Sequence, residues 1–367
     1  MDENLETAYF EEGINLLKSL ISVPSFSNEE EKAADLWESW LKSHGLQQVN
    51  RYHNNVYVFS APYDTTKPVL LLNSHLDTVK PVASYTRDPF FPEIKDGKLY
   101  GLGSNDAGGP GVALAITFLN WKDIPDLPFN LLLAITASEE RMGEKGMRAF
   151  LPHLKDEGRY PDMAIVGEPT GLRAAIAERG LVVCDVEVKG KAGHAARNEG
   201  INAIYRACSD IECIKNYHFS KESDILGPVK ATVTMIESGT QHNVIPDKCH
   251  YVVDIRTTDA YSNEETVKLL EEATEWSSFQ PRSTRIRASV LKKEHLLARA
   301  AEKTRLELFV SPTTSDMALM YDIPSIKIGP GLSERSHTAD EFIKLEEIKE
   351  GCLVYSEFIQ NLISLKQ

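Results

Sequence analysis

Three apolar runs in this chain each close on side chains that can hold a metal ion or move a proton. Residues 69–72 lead into Ser74-His75-Leu76-Asp77, residues 131–135 into Ser138-Glu139-Glu140, and residues 163–166 into Gly167-Glu168-Pro169. Short apolar runs closed by polar turns read as buried parallel strands. In open α/β sheets, ligands bind just beyond the carboxyl ends of such strands. One imidazole and several carboxylates at one rim form the donor set of a dication such as zinc, and the chemistry they point to is metal-assisted hydrolysis.

Each residue also has a plainer reading. His75 and Asp77 lie two apart and can face the same way. Asp77 could then accept the second ring N–H of a metal-binding His75, although a structural His beside a turn Asp explains the pair equally well. Asp106 sits in GLGSNDAGG, residues 101–109, where it could simply cap the following helix. A phosphate loop there would need GxGxxG or a following GKS/T, and neither is present. Adjacent carboxylates at Glu139 and Glu140 repel unless solvated or bound to a cation. One could ligate while its neighbour handles a proton, but nearby Arg141, Glu144 and Lys145 fit a solvated turn. Glu168 and His337 would each pass as loop residues taken singly. Several such residues at matching strand ends are harder to explain separately.

The elements that must position these groups alternate along the chain. An amphipathic helix is expected over 5–21, then another carrying Ala33, Leu36, Trp37, Trp40 and Leu41 before Gly45. Strands are expected near 56–59 and at 69. Pro110 opens an apolar helix over 112–119, where its missing N–H costs nothing. Near Glu178 the character changes. Val182, Cys184, Val186 and Val188 alternate with Asp185, Glu187 and Lys189, the pattern of a half-exposed strand. A helix over 203–214, strands at 230–236 and 249–257, a helix over 264–276 and a strand near 284–288 complete a β-α-β-β-α-β order. The sequence thus reads as two domains. One is a doubly wound α/β domain with a mixed, largely parallel sheet, from residues 1–178 and 289–367. The other is an inserted ferredoxin-like α+β domain at 179–288. Residues 325–328 return as an apolar strand ending in Gly329-Pro330-Gly331.

Bulk properties narrow the partners. The chain has 367 residues and a net charge of −14, which argues against nucleic acid or an anionic membrane surface. The start, MDENLETAYFEEG, lacks the basic end and apolar stretch of a signal peptide, and no run reaches the roughly 20 apolar residues of a membrane helix. Five cysteines without CxxC spacing fit reduced thiols and a cytoplasmic location.

Eight segments occur in order between residues 74 and 342: SHLDTV, GLGSNDAGG, ASEE, VGEPT, GKAGHAA, HNVIPD, DIRTT and SHTADEF. Together they resemble the zinc aminoacylase/carboxypeptidase superfamily, in the branch of acetylornithine deacetylase and succinyl-diaminopimelate desuccinylase. The resemblance implies two Zn²⁺ ions, with Co²⁺ a possible substitute. Asp106 would bridge them, His75 and Glu168 completing one site and Glu140 and His337 the other. It implies Glu139 as general acid/base, with Asp77 supporting the centre from behind its ligands. The inserted domain would be a lid and dimerisation domain. Its His194 would reach the neighbouring subunit's site of a homodimer and stabilise the oxyanion; Ala195 replaces the more usual Ser. Asn243, Arg256, Gly329 and Gly331 would hold the substrate's oxyanion or α-carboxylate, although Arg256 could instead pair with Asp254 or Asp259. The implied activity is removal of the acyl group from an N-acyl amino acid, first of all N-acetylornithine in arginine biosynthesis. N-succinylornithine, N-acetylcitrulline, succinyl-diaminopimelate and dipeptides are alternative substrates. A non-catalytic ligand-binding homologue and a nucleotide-binding protein using the 101–109 glycines are the alternative classes.

Overall fold

The computed structural model describes residues 9–197 and 199–366; the acidic start and the first turn of the helix expected from residue 5 lie outside them. Packing divides the chain into two compact units. The first comprises residues 1–176, 291–309 and 315–367, the second residues 177–290 and 310–314. The 310–314 segment, counted above with the first domain, groups with the second. The Leu308–Ser311 strand pairs with Ala174–Glu178, whose last two residues already belong to that unit.

In the first unit the strands run in the order Asn50–Tyr52, Asn55–Phe59, Asn130–Thr136, Val69–His75, Met163–Val166, Ser325–Lys327, Ala174–Glu178. The middle four are mutually parallel, and the flanking pairs are antiparallel. Every residue of Val69–His75 and of Asn130–Thr136 is buried, which explains their unbroken apolar runs: helices cover both faces. On one face Leu71, Leu132 and Ala164 pack with Phe150, Leu151 and Leu154 of helix Met147–Asp156. On the other lies helix Gly109–Trp121, itself packed against helices Phe10–Ile21 and Leu345–Lys366. Each fully buried Leu contributes about 1.5–3 kcal/mol, so the strands that carry the functional turns are also the most firmly anchored. A separate antiparallel sheet, Glu93–Lys95, Lys98–Tyr100 and Phe342–Lys344, was not foreseen; its three-residue strands are too short to show a period.

The second unit has an antiparallel sheet in the order Lys230–Ser238, Lys248–Thr257, Gly180–Lys189, Ser277–Pro281. With helices Ala203–Asn216 and Asn263–Ala273 this is the ferredoxin-like arrangement. Val182, Cys184, Val186 and Val188 face its core, as their alternation requires. Two expected boundaries are corrected. The second helix stops at Ala273 because the Asp210 carboxylate takes the N–H groups of Glu275 and Trp276 and the Ser277 hydroxyl, drawing the chain into a strand that buries Phe279. The last strand is therefore 277–281. The 284–288 segment instead offers the carbonyls of Thr284 and Ile286 to the Asn263 amide. No helix among the described residues is long and apolar enough to cross a membrane.

Candidate metal centre

The carboxyl ends of the parallel strands deliver the functional side chains to one rim. His75 is the last residue of its strand, Glu139 and Glu140 follow Thr136 through a tight turn, and Glu168 follows Val166. Asp106 comes from the turn preceding helix Gly109–Trp121, and His337 from the loop before strand Phe342–Lys344. His75 Nε2 lies 3.2 Å from Asp106 Oδ1 and 3.7 Å from Glu168 Oε1. His337 Nε2 lies 3.0 Å from Glu140 Oε2 and 3.6 Å from Asp106 Oδ2. Two donor groups result, His75/Asp106/Glu168 and Asp106/Glu140/His337, and they share Asp106. Ligands about 2.0–2.2 Å from a tetrahedral ion stand roughly 3.3–3.6 Å apart, so the spacings suit an ion in each group.

The electrostatics point the same way. Burial, with Asp106 and Glu140 adding to it, pushes Glu168 up to about 8 against the pull of His75 and Lys327. Glu139 is also raised well above its ordinary value, first by burial and then by Glu168, Asp316 and Glu140, with His75 opposing. The hydrogen bond to Glu140 lifts His337 to about 9. Burial disfavours a charged His75, yet Asp106, Asp77, Glu139 and Glu168 raise it well above the ordinary value. Burial and mutual repulsion thus raise the proton affinity of Glu139 and Glu168, while the surrounding acids raise that of both imidazoles, an arrangement a dication would neutralise. Glu139 Oε2 stands 3.9 Å from His75 Nε2, beside the first group and a member of neither.

Asp77 differs from the expectation. The His75 Nδ1 hydrogen bond runs to Asp77's own carbonyl at 2.8 Å, whereas the carboxylate is 3.6 Å away. That carboxylate instead accepts the N–H groups of Glu139 (2.9 Å) and Glu140 (3.2 Å) and the Ser27 hydroxyl (2.7 Å). Asp77 thus orients the imidazole through its backbone and the Glu pair through its side chain. Gly329 is a second correction: its N–H is already bonded to Thr170 Oγ1 at 3.0 Å and is not free for a substrate carboxylate. A Cβ at Gly329 would meet the Glu168 carbonyl at 2.4 Å, so glycine is required there by close backbone approach to the turn that carries Glu168. The Gly331 carbonyl accepts the N–H of Gly171 at 2.7 Å.

His194, Asn243 and Arg256 belong to the second unit. A short ribbon pairs His194 with Val244, and the Ala195 N–H donates to the Asn243 carbonyl, so His194 and Asn243 are neighbours. The Ala196 N–H donates to His194 Nδ1 at 3.1 Å. A neutral imidazole in this arrangement carries its proton on Nε2, as an outward donor. Arg256 makes a two-pronged pair with Asp254 at 2.8 and 3.2 Å, the alternative named for it above.

Sequence reasoning passed over three buried groups. Glu30 accepts the Ser138 hydroxyl at 2.8 Å. Asp316, pushed up to about 6 chiefly by burial, accepts the Thr136 hydroxyl at 2.7 Å. Glu341 accepts three backbone N–H groups of the turn that carries Asp106. Of these only Glu341 left a trace in the sequence, an acid four residues after His337 and directly before an apolar strand.

Residues 71–361 match the model of peptidase family M20/M25/M40. The chain is 28% identical to a succinyl-diaminopimelate desuccinylase of Wolbachia pipientis wMel, covering 95% of this chain and 92% of that protein. It is 31% identical to a succinyl-diaminopimelate desuccinylase of Helicobacter pylori, covering 82% of each. Among solved structures, aminopeptidase PepT from Bacillus cereus superposes with a TM-score of 0.75 at 19% identity, covering 96% of this chain and 98% of that one. A dinuclear metal binding peptidase from Bacillus subtilis superposes at 0.73 with 16% identity, covering 98% and 99%. At these identities the structural likenesses establish a shared fold. The chain belongs to peptidase family M20/M25/M40 and is a metal-dependent amide hydrolase.

Proposed function

We propose that this protein is a two-zinc deacylase that hydrolyses the amide bond of an N-acyl amino acid. The observation that carries the reading is the pair of donor groups sharing Asp106, with Glu139 beside His75. His75 and Glu168 would hold one ion, Glu140 and His337 the other, and Asp106 both. Bound divalent ions supply the positive charge that polarises the amide carbonyl and makes a water molecule acidic. Glu139, buried and with its proton affinity raised, takes the proton of the attacking water at a carboxylate oxygen and returns it to the leaving nitrogen. Asp77 keeps Glu139 and Glu140 in place through their N–H groups. His194, with its Nε2 donor, offers a hydrogen bond to the developing oxyanion. Asn243, Gly331 and the part of the Arg256 guanidinium outside its pair with Asp254 are the remaining candidates for holding the substrate.

The names of the relatives shift the first expectation for the acyl group from acetyl to succinyl, so succinyl-diaminopimelate is the leading substrate and N-acetylornithine the second. A homodimer through the second unit is part of the proposal. Edge strand Lys230–Ser238 leaves Met235 and Ile236 more than half exposed, and Tyr205 on helix Ala203–Asn216 is 75% exposed. A second copy would cover them. A cytoplasmic location goes with a small-molecule substrate of this kind.

The test is free-amine release from a panel of N-succinyl and N-acetyl amino acids and dipeptides, with the enzyme loaded with Zn²⁺ or Co²⁺ and after chelation. Turnover should be confined to acylated amino acids and vanish on chelation. Turnover of dipeptides alone, or undiminished turnover without metal, would overturn the assignment.

A further inference from the structure

The Glu341 carboxylate is bonded to the backbone of the turn that carries Asp106. Glu341 is 2% exposed. Its Oε1 accepts the N–H groups of Asn105 (2.8 Å) and Asp106 (2.9 Å), and its Oε2 accepts that of Gly103 (3.1 Å). The Glu341 carbonyl also accepts the N–H of Gly101 at 3.0 Å. Three convergent peptide N–H groups make a concavity suited to one anion, here filled from within the chain. The turn can close around it because Gly103 adopts φ +75°, a conformation that strains other residues. The last of the three donors is Asp106 itself, whose Oδ1 faces His75 and whose Oδ2 faces His337.

Glu341 also lies four residues after His337 on one continuous segment. Between them, Asp340 fastens that segment to the neighbouring loop by accepting the N–H groups of Thr86 and Arg87, each at 2.9 Å. The stretch that presents His337 is therefore the stretch that grips the turn of Asp106.

We propose that Glu341 is a positioning residue for the metal centre: its two acceptor oxygens hold Asp106 where both donor groups can share it, so losing one of them weakens both ions together. The proposal rests on the reading of the two groups as metal sites. It differs from a purely structural role, in which Glu341 would support folding and leave the metal affinity of the folded protein unchanged.

The experiment uses the full chain, stripped of metal and titrated with Zn²⁺ against a chromophoric chelator. Co²⁺ absorption spectra and thermal unfolding of the metal-free form are recorded in parallel. Wild type should take up two ions. Glu341→Gln keeps the shape but replaces one acceptor oxygen with an N–H₂ group turned toward a backbone N–H. It should unfold as a single cooperative transition yet bind both ions about 10–100-fold more weakly, the usual effect of losing a group that orients ligands, with an altered Co²⁺ spectrum. Should Glu341→Gln fail to fold, Glu341→Asp serves. It keeps both acceptor oxygens, is one methylene too short to reach all three donors, and should also weaken both ions. A folded variant with wild-type affinities and spectrum, or one that weakens only one ion, overturns the proposal. A wild-type protein that binds no metal overturns the reading beneath it, whereas two ions in the wild type and two equally tight ions in the variant overturn the proposal alone.

Discussion

Glu139 and Glu140 are adjacent in the chain, yet their surroundings separate their tasks. Glu140 lies 3.0 Å from His337, within a donor group, while Glu139 stands beside His75 and is pressed by burial toward its protonated form. Glu139→Gln should keep both metals and lose on the order of 10²–10⁴ in kcat, the usual worth of a general base. Glu140→Gln should lose metal as well; metal analysis beside kinetics separates the two, and equal metal contents with equal loss of activity would show the roles are misassigned. The raised proton affinities of the metal-free centre carry a second prediction. Glu168 at about 8 and His337 at about 9 both hold protons at neutral pH, and an ion must displace them. Metal uptake at neutral pH should therefore release protons, and apparent affinity should fall as pH drops from 9 to 6. Calorimetric enthalpies in buffers of different ionisation heat would read the release directly; an affinity indifferent to pH and buffer would contradict it. At this scale the sequence was informative where a residue's type announces its chemistry. The ligand candidates and Glu139 stand out as acids and imidazoles at strand ends. It was silent where chemistry depends on which atom is turned inward. No spacing reveals that His75 bonds the carbonyl of Asp77 rather than its carboxylate, or that the Gly329 N–H is taken by Thr170.

The elements were legible in proportion to their burial and length. The Val69–His75 and Asn130–Thr136 strands are enclosed on both faces and appear as unbroken apolar runs. Gly180–Lys189 is buried at alternate residues and reads as clean alternation. Where an element's end is set by a distant side chain, local pattern fails. The helix expected through Trp276 is cut short by Asp210 on another helix, and no window around residue 273 contains that information. The strands Glu93–Lys95, Lys98–Tyr100 and Phe342–Lys344 span three residues each, less than two full periods. That missed sheet matters, because it sets Phe342 opposite Tyr100. Glu341 and Gly101 are thereby neighbours, which is how the acid reaches the turn of Asp106.

For the whole molecule, the lid proposal predicts an active site built from two chains. The protein should sediment as at least a dimer. Inactive His194→Ala chains mixed with inactive Glu139→Gln chains should regain part of the activity once subunits exchange, because one site of each heterodimer then carries neither defect. Heterodimers with no recovered activity would rule out a lid acting in trans. The division into units has a consequence for how the chain is made. The long stretch of the second unit, 177–290, begins and ends on paired strands, Ala177 opposite Val290 and Glu178 opposite Ser289, and the unit's apolar cluster draws only on residues within 182–279. Emerging from the ribosome, it can fold on its own. The first unit cannot, because Ser325–Lys327 must slide between Met163–Val166 and Ala174–Glu178, two strands synthesised some 150 residues earlier. Until then Ala174–Glu178 is not joined to the rest of the sheet and His337 does not yet exist, so the nascent enzyme should pass through a stage with a finished insert, a divided sheet and a metal site short of one ligand. Stalled chains ending before residue 325 should show protease resistance over 177–290 alone.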